Sequence, residues 1–300
     1  MTTAQLNQKF GIEGKIFFSD GKGNLPEVTI TNEYAAAVIS LYGAHVISYQ
    51  PTEQKNILWM SEQSAFETGK PIRGGVPVCF PWFGPHESDN QKPQHGFARL
   101  SLWNVKDTSV LADNSLQIQL ELQSNDETKK LWPFDFIAII TVIVGKKLSI
   151  ALTVKNTGSE KLTYTDALHS YFNISDLSNI LIEGLHNATY YSSTSTDLIT
   201  QQDELLAITK EENRRYVNHT KNCIIHDSGF ERKILVSKAN SNVTVVWNPG
   251  EQTTKNIPDI SDSGYKTFIC VEAVNAYKDI NIITVQPGNE YTMSTSFELI

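Results

Sequence analysis

The chain has 300 residues, with 25 Lys and Arg against 33 Asp and Glu, a formal net charge of -8 and a pI near 5.4. That balance excludes a global attraction for nucleic acid or for an anionic membrane surface, so any anion the protein binds is held by local charges. The three cysteines, Cys79, Cys223 and Cys270, are odd in number and form no CxxC pair, which points to a reducing compartment and away from a disulfide scaffold.

The amino terminus, MTTAQLNQKFGIEGKIFF, lacks a basic start followed by an apolar block and a cleavage site. The longest apolar run, FIAIITVIV at 136–144, falls short of the roughly 20 residues a spanning helix needs. A cytoplasmic protein is expected. From Val28 to Ile47, short apolar runs broken by polar residues and Gly43 predict two or three strands. His45 lies among them, where a histidine is expected to be a satisfied core or edge residue.

Residues 73–99, RGGVPVCFPWFGPHESDNQKPQHGFAR, hold the densest set of unusual residues. Pro77, Pro81, Pro85 and Pro93 forbid a regular helix and predict a stiff loop. Arg73 and Arg99 bracket it. Arginine offers a planar fork of donors that matches phosphate oxygens and stays charged, so the two form a candidate clamp, to which the amides of Gly74 and Gly75 could add donors. Cys79, inside the loop, is expected to be a small buried hydrophobe.

After Arg99 the chain reads as β. Leu116, Ile118, Leu120 and Leu122 alternate with polar residues, the period of a strand with one buried face. FIAIITVIV is apolar on both faces and β-branched, and suits a sheet covered on both sides. Gly145-Lys146-Lys147 turns it into LSIALTVKN as a hairpin, and KLTYTDALHSYFNI follows as another strand. No segment before residue 200 has a convincing helical period, and Gln201–Asn213 suggests a short helical turn. RKILV, VTVVW, FICVEAV, IIT and TMSTSFEL close the chain as further strands. The expected fold is all-β, a large antiparallel β-sandwich in a single domain over 1–300.

Within these strands, Glu272 stands between apolar neighbours in FICVEAVNA. A buried carboxylate is costly unless paired or used, which marks it as a site candidate. His169 stands in DALHSYFNI. The histidines and cysteines show no metal-ligand spacing, and there is no G-x-S-x-G elbow or P-loop.

The segments RGGVPVCFPWFGP, PQHGFAR, DALHSYFNI and FICVEAV, in this order, resemble the glucose-6-phosphate 1-epimerases, or hexose-6-phosphate mutarotases, of the galactose mutarotase-like superfamily. The resemblance runs from about residue 30 to about residue 290. It implies a supersandwich with a sugar cleft on its concave face, His169 as general acid and Glu272 as general base, and Arg73, Gln94, His95, Arg99 and the residue at position 213 as substrate contacts. Here the sequence departs from the family pattern T-D-R-x-Y: in ENRRY, Asn213 occupies the acidic position and is a weaker acceptor. Tyr291 stands where a tryptophan is common. Phe80, Trp82, Phe83 and Trp247 are candidates to stack on a sugar ring.

Interconversion of sugar anomers needs one base on the anomeric hydroxyl and one acid on the ring oxygen, expected on opposing sides of the ring. A raised Glu272 and a His169 near its ordinary pKa would serve at neutral pH. Expected partners are a small-molecule hexose phosphate, with no cofactor, metal, nucleic acid or membrane, and a monomeric state. Two other readings share the fold: an aldose 1-epimerase acting on free sugars, and a non-catalytic sugar-phosphate-binding protein.

Overall fold

The alternating run around Leu116 and the β-branched run around Ile140 form neighbouring strands, Leu116–Gln123 and Phe136–Val144. The second turns at Gly145 into Leu148–Asn156, antiparallel and in register from Phe136 opposite Asn156 to Val144 opposite Leu148. The expected hairpin is present. Its 136–144 strand buries one face fully and the other only partly. The protein is described here in a computed structural model covering residues 1–192, 195, 197–276 and 281–300.

These strands belong to a nine-stranded sheet that also includes Cys223–Asp227, Arg232–Ala239 and the last strand, Glu290–Leu299. An eight-stranded sheet faces it. Its central members are Glu212–Val217, Val243–Asn248 and Phe268–Asn275, followed by Asp166–Leu168 and Val78–Cys79. Every strand pairing among the described residues is antiparallel. A four-stranded meander, from Ile16–Asp20 to His45–Pro51, leans on the hairpin, where Tyr49 Oη donates to the Gly145 carbonyl at 2.9 Å.

Strand 268–275 shows how the two sheets share the work. It is buried along its whole length. Because side chains alternate, Ile269, Val271 and Ala273 enter the main core between the sheets, while Cys270, Glu272 and Val274 point to the other face. The main core draws residues from Leu6 to Phe297, and Phe172 meets Phe297 edge-on at 4.8 Å across it. Fully burying each such side chain is worth about 2–3 kcal/mol.

Three local expectations need correction. The predicted turn over Gln201–Asn213 is instead strand, with Leu205–Ala207 and Glu212–Val217 on either side of a bend, because both runs pair with neighbours that override local propensity. Among the described residues two short α-helices, Thr3–Phe10 and Asp126–Leu131, precede residue 200; each opens on a capping box, from Thr2 and from Asn125. KLTYTDALHSYFNI is three strands, Leu162–Tyr164, Asp166–Leu168 and Tyr171–Asn173, interrupted at His169.

Candidate active site

The interruption at His169 does not shift the register. Leu168 lies opposite Ala273 and Tyr171 opposite Cys270, so both short strands share one offset and His169 stands across from Glu272. The consequence is a close pair: His169 Nδ1 lies 3.5 Å from Glu272 Oε1, with the two residues 8% and 2% exposed. A separation this small matches two oxygens borne by one carbon. It corrects the expectation of groups on opposing sides of a ring.

Adjacent rows on the same face follow from the pairing. Glu272 neighbours Val245, which neighbours Arg215; Cys270 neighbours Trp247, which neighbours Asn213. Asn213 therefore shares a face with the pair, and Arg214 points away, stacking over Tyr190 with its guanidinium 4.8 Å from the ring centroid. A recess of about 500 Å³ opens on the flank, lined by Phe83, Pro85, Arg215, Val243, Val245 and Val274. It borders the His169–Glu272 pair and does not enclose it.

The loop from 73 to 99 supplies the other wall. Arg73 donates from Nε to Asp259 Oδ2 at 3.1 Å and from Nη1 to Tyr171 Oη at 3.0 Å. Tyr171 in turn stacks on the His169 ring, 4.7 Å between centroids and 7° from parallel. Arg73 is thus tied to His169 through one aromatic ring. Gly74 and Gly75 permit this approach: both have positive φ, and a Cβ on Gly75 would sit 2.3 Å from the Val46 carbonyl. The Gly75 amide is already spent on the Trp59 carbonyl at 2.7 Å, so the expected pair of free donors is reduced. His45 is the satisfied core residue expected, its Nε2 bonded to the Gly74 carbonyl at 2.7 Å.

His95 takes a left-handed backbone conformation, φ 64°, and is locked on both sides of Gly84. Its amide donates to the Gly84 carbonyl at 2.7 Å, and the Gly84 amide donates to His95 Nδ1 at 3.1 Å. The ring hydrogen must therefore sit on Nε2. Burial, then Arg99 and Arg73, push the His95 pKa down to about 3, which makes it a neutral donor 5.8 Å from the His169 ring centroid. Arg99 donates from Nη2 to the Gln94 carbonyl at 2.7 Å, and its Nε is buried with no partner. Gln94 meets the site through its backbone; its side chain is exposed.

Electrostatically this wall gathers two guanidinium groups, one of them, Arg73, paired with Asp259. Burial depresses the Arg99 pKa and Arg73 repels it further, although Cys79 and Tyr171 pull the other way. His169 is held well below its ordinary value by burial and then by His95, Arg73 and Arg99, which corrects the expectation of an unperturbed imidazole. Glu272 is raised well above the carboxylate range by burial, with Arg215 opposing, as expected. Both partners are pushed toward their neutral forms.

Of the aromatic candidates, Trp247 stands edge-on to His169 and Tyr171 at 5.9 and 6.0 Å, and Phe83 lies against His95 at 4.9 Å. Trp82 is pinned by its Nε1 hydrogen bond to the Pro93 carbonyl. Phe80 is fully buried among Phe97, Trp132, Phe136 and Tyr164 and cannot be a platform. Cys79 is buried as expected. The residues sequence reasoning missed are Asp259, which lies in the unremarkable run IPDISDSG, and Tyr171, visible only as a flank of His169.

A buried His–Glu pair thus stands beside two arginines on one face of a sheet in an antiparallel β-sandwich. Residues 26–298 match the family model described as aldose 1-epimerase, and the chain belongs to that family. Relatives carrying the name "Putative glucose-6-phosphate 1-epimerase" include a Salmonella typhimurium protein 35% identical over 84% of each chain and an Escherichia coli K12 protein 33% identical over 87% of each. The solved structure of a Salmonella typhimurium protein described as a "putative mutarotase" superposes with a TM-score of 0.89 at 30% identity, covering 97% of this chain and 95% of its own. A galactose mutarotase related enzyme from Lactobacillus acidophilus, 17% identical with a TM-score of 0.74 over 91% of this chain and 97% of its own, shares the fold. Among the described residues no helix is long and apolar enough to cross a membrane.

Proposed function

We propose that the protein is a hexose-6-phosphate mutarotase that interconverts the α and β anomers of glucose 6-phosphate and related hexose 6-phosphates. The observation that carries this reading is the 3.5 Å His169–Glu272 pair beside a wall that holds two arginines. The neutral pair holds its transferable proton on the Glu272 carboxyl, and passage of that proton to His169 arms the two. Glu272 then removes the proton from the anomeric hydroxyl while His169 protonates the ring oxygen, and the ring opens to the aldehyde. Rotation about the neighbouring carbon–carbon bond presents the other face. Closure then runs the two transfers in reverse, so no proton is gained or lost over the cycle. A positioned acid and base each contribute about 10²- to 10⁴-fold, sufficient without a cofactor.

The remaining residues bind and orient. Arg73 and Arg99 hold the phosphate, whose two negative charges offset their mutual repulsion. His95 donates from Nε2 to a sugar oxygen, Gln94 and Asn213 contact hydroxyls, and Trp247 bounds the ring. The chain acts as one cytoplasmic domain over 1–300, a reading supported by a core drawn from both of its ends. The names of the relatives favour the phosphorylated substrate.

The test is the rate of α/β exchange of glucose 6-phosphate by NMR exchange spectroscopy, with free glucose and galactose run in parallel. Acceleration confined to the phosphate ester is expected. Equal acceleration of the free sugars would reassign the protein to the general aldose 1-epimerases, and binding without acceleration would make it a sugar-phosphate binder.

A further inference from the structure

Strand 268–275 carries Cys270 and Glu272 two residues apart, hence on one face, and His169 stands opposite the second of them. Three different ligand types meet there. One nitrogen of His169, Cys270 Sγ and a Glu272 carboxylate oxygen all lie within 4.8 Å of one another, and all three residues are buried. Two of the polar atoms in this group, His169 Nδ1 and Glu272 Oε2, are buried without a hydrogen-bond partner, whereas buried polar atoms are as a rule satisfied. C-x-E carries no familiar ligand spacing along the chain, yet in a strand two residues are enough to place both side chains on one face.

We propose that His169, Cys270 and Glu272 form a binding site for a thiophilic divalent cation, Zn²⁺ foremost, and that metal occupancy and sugar turnover exclude one another. Zinc takes thiolate, imidazole and carboxylate at about 2.0–2.3 Å, so the edges of its tetrahedron are about 3.3–3.8 Å. Side-chain rotations that draw the three atoms together by about 1 Å close that gap. A fourth position remains toward the cleft for water or a sugar oxygen. On binding, the Cys270 thiol proton and the Glu272 carboxyl proton both leave to solvent, and the two charges of the ion are balanced by one thiolate and one carboxylate. No net positive charge is then added beside Arg73 and Arg99. Mg²⁺ and Ca²⁺ are disfavoured, since both require shells of oxygen. The binding half of this proposal stands on the ligand geometry alone; the exclusion half rests on His169 and Glu272 being the acid and base.

The probe is Co²⁺ titrated into the full-length protein, read by the near-ultraviolet thiolate-to-cobalt absorption and the visible bands of a tetrahedral ion. One equivalent is expected to saturate the signal, C270S to abolish it, and hexose 6-phosphate to displace the ion. Zn²⁺ should inhibit exchange in the wild type. C270S and, as a second replacement, C270A should retain metal-free turnover with sensitivity to Zn²⁺ lowered by about 100-fold or more. A cobalt spectrum without the thiolate band, or one unchanged in C270S, would overturn the site. Equal zinc inhibition of wild type and C270S, or a metal that stays bound under saturating substrate, would overturn the exclusion. Should the protein prove not to accelerate exchange at all, the cobalt spectrum still decides the binding site by itself.

Discussion

Replacing Arg99 by methionine removes one arm of the proposed clamp and keeps most of the aliphatic stem. The structure makes this the cleaner of the two arginines to test. The side-chain hydrogen bond seen for Arg99 runs to the Gln94 carbonyl, whereas loss of Arg73 would strand Asp259 and the Tyr171 hydroxyl. Removing Arg99 also relieves its repulsion with Arg73, so the fold should survive. A hydrogen bond to a charged group is worth about 1.5–3 kcal/mol, which is about a 10- to 150-fold loss of affinity at 1.4 kcal/mol per tenfold. Exchange spectroscopy over a concentration series should show KM for glucose 6-phosphate rising by that factor, with kcat changed much less and the slow exchange of free glucose unaltered. Equal losses for glucose and its phosphate would refute the clamp, because an uncharged sugar gains nothing from the guanidinium.

Three further outcomes can be checked. His169→Ala and Glu272→Gln should each bind hexose phosphate yet lose about 10²- to 10⁴-fold in exchange rate; full turnover in either removes that residue from the mechanism. Asp166 is buried on strand 166–168 with Oδ2 unpartnered, and burial, against the hydrogen bond from Asn275, raises its pKa to about 7. A folded value above the unfolded value of about 3.9 means stability is greatest below pH 4 on this account and declines as pH rises toward 7, by about 4 kcal/mol in all. Urea unfolding of Asp166→Asn across that window should show a smaller decline, the remainder coming from buried Glu272, whose raised pKa acts with the same sign; an unchanged profile would assign the dependence elsewhere. Gly75→Ala places a Cβ 2.3 Å from the Val46 carbonyl at φ 59°, and should cost about 1–3 kcal/mol in thermal or urea unfolding; a wild-type midpoint would show that the loop yields freely.

Much of the fold was legible because the nine-stranded sheet is written in period two. Leu116 to Leu122 and Leu148 to Val154 alternate in sequence and alternate in burial. Helix Thr3–Phe10 was less so, since it buries only Leu6 and Phe10, too little apolar periodicity to register, although its Thr2 and Gln5 cap was there to be read. The bend at Gln201–Asn213 looked helical because its partners lie far along the chain: Asn213 pairs with Trp247, a long-range fact that no local window holds. For the site, His169, Glu272 and the two arginines stood out through resemblance, and register explains why they meet. Asp259 could not have been found. Its role depends wholly on Arg73, 186 positions earlier.

The hydrogen bonds behind His169 have a mechanical meaning. The His169 amide donates to the Pro77 carbonyl and the Tyr171 amide to the Gly75 carbonyl, so the segment that carries the acid is riveted to the segment that carries Arg73. If the proposed roles hold, phosphate anchor and reacting carbon are the two ends of a fixed gauge. A sugar phosphate would then be measured along its length as well as recognised by its charge: an ester one carbon shorter, seated on the same arginines, would leave its anomeric centre short of His169 and Glu272. Selectivity among phosphorylated sugars would in this way be a property of the scaffold, and loosening it would mean slipping a sheet, not exchanging a side chain.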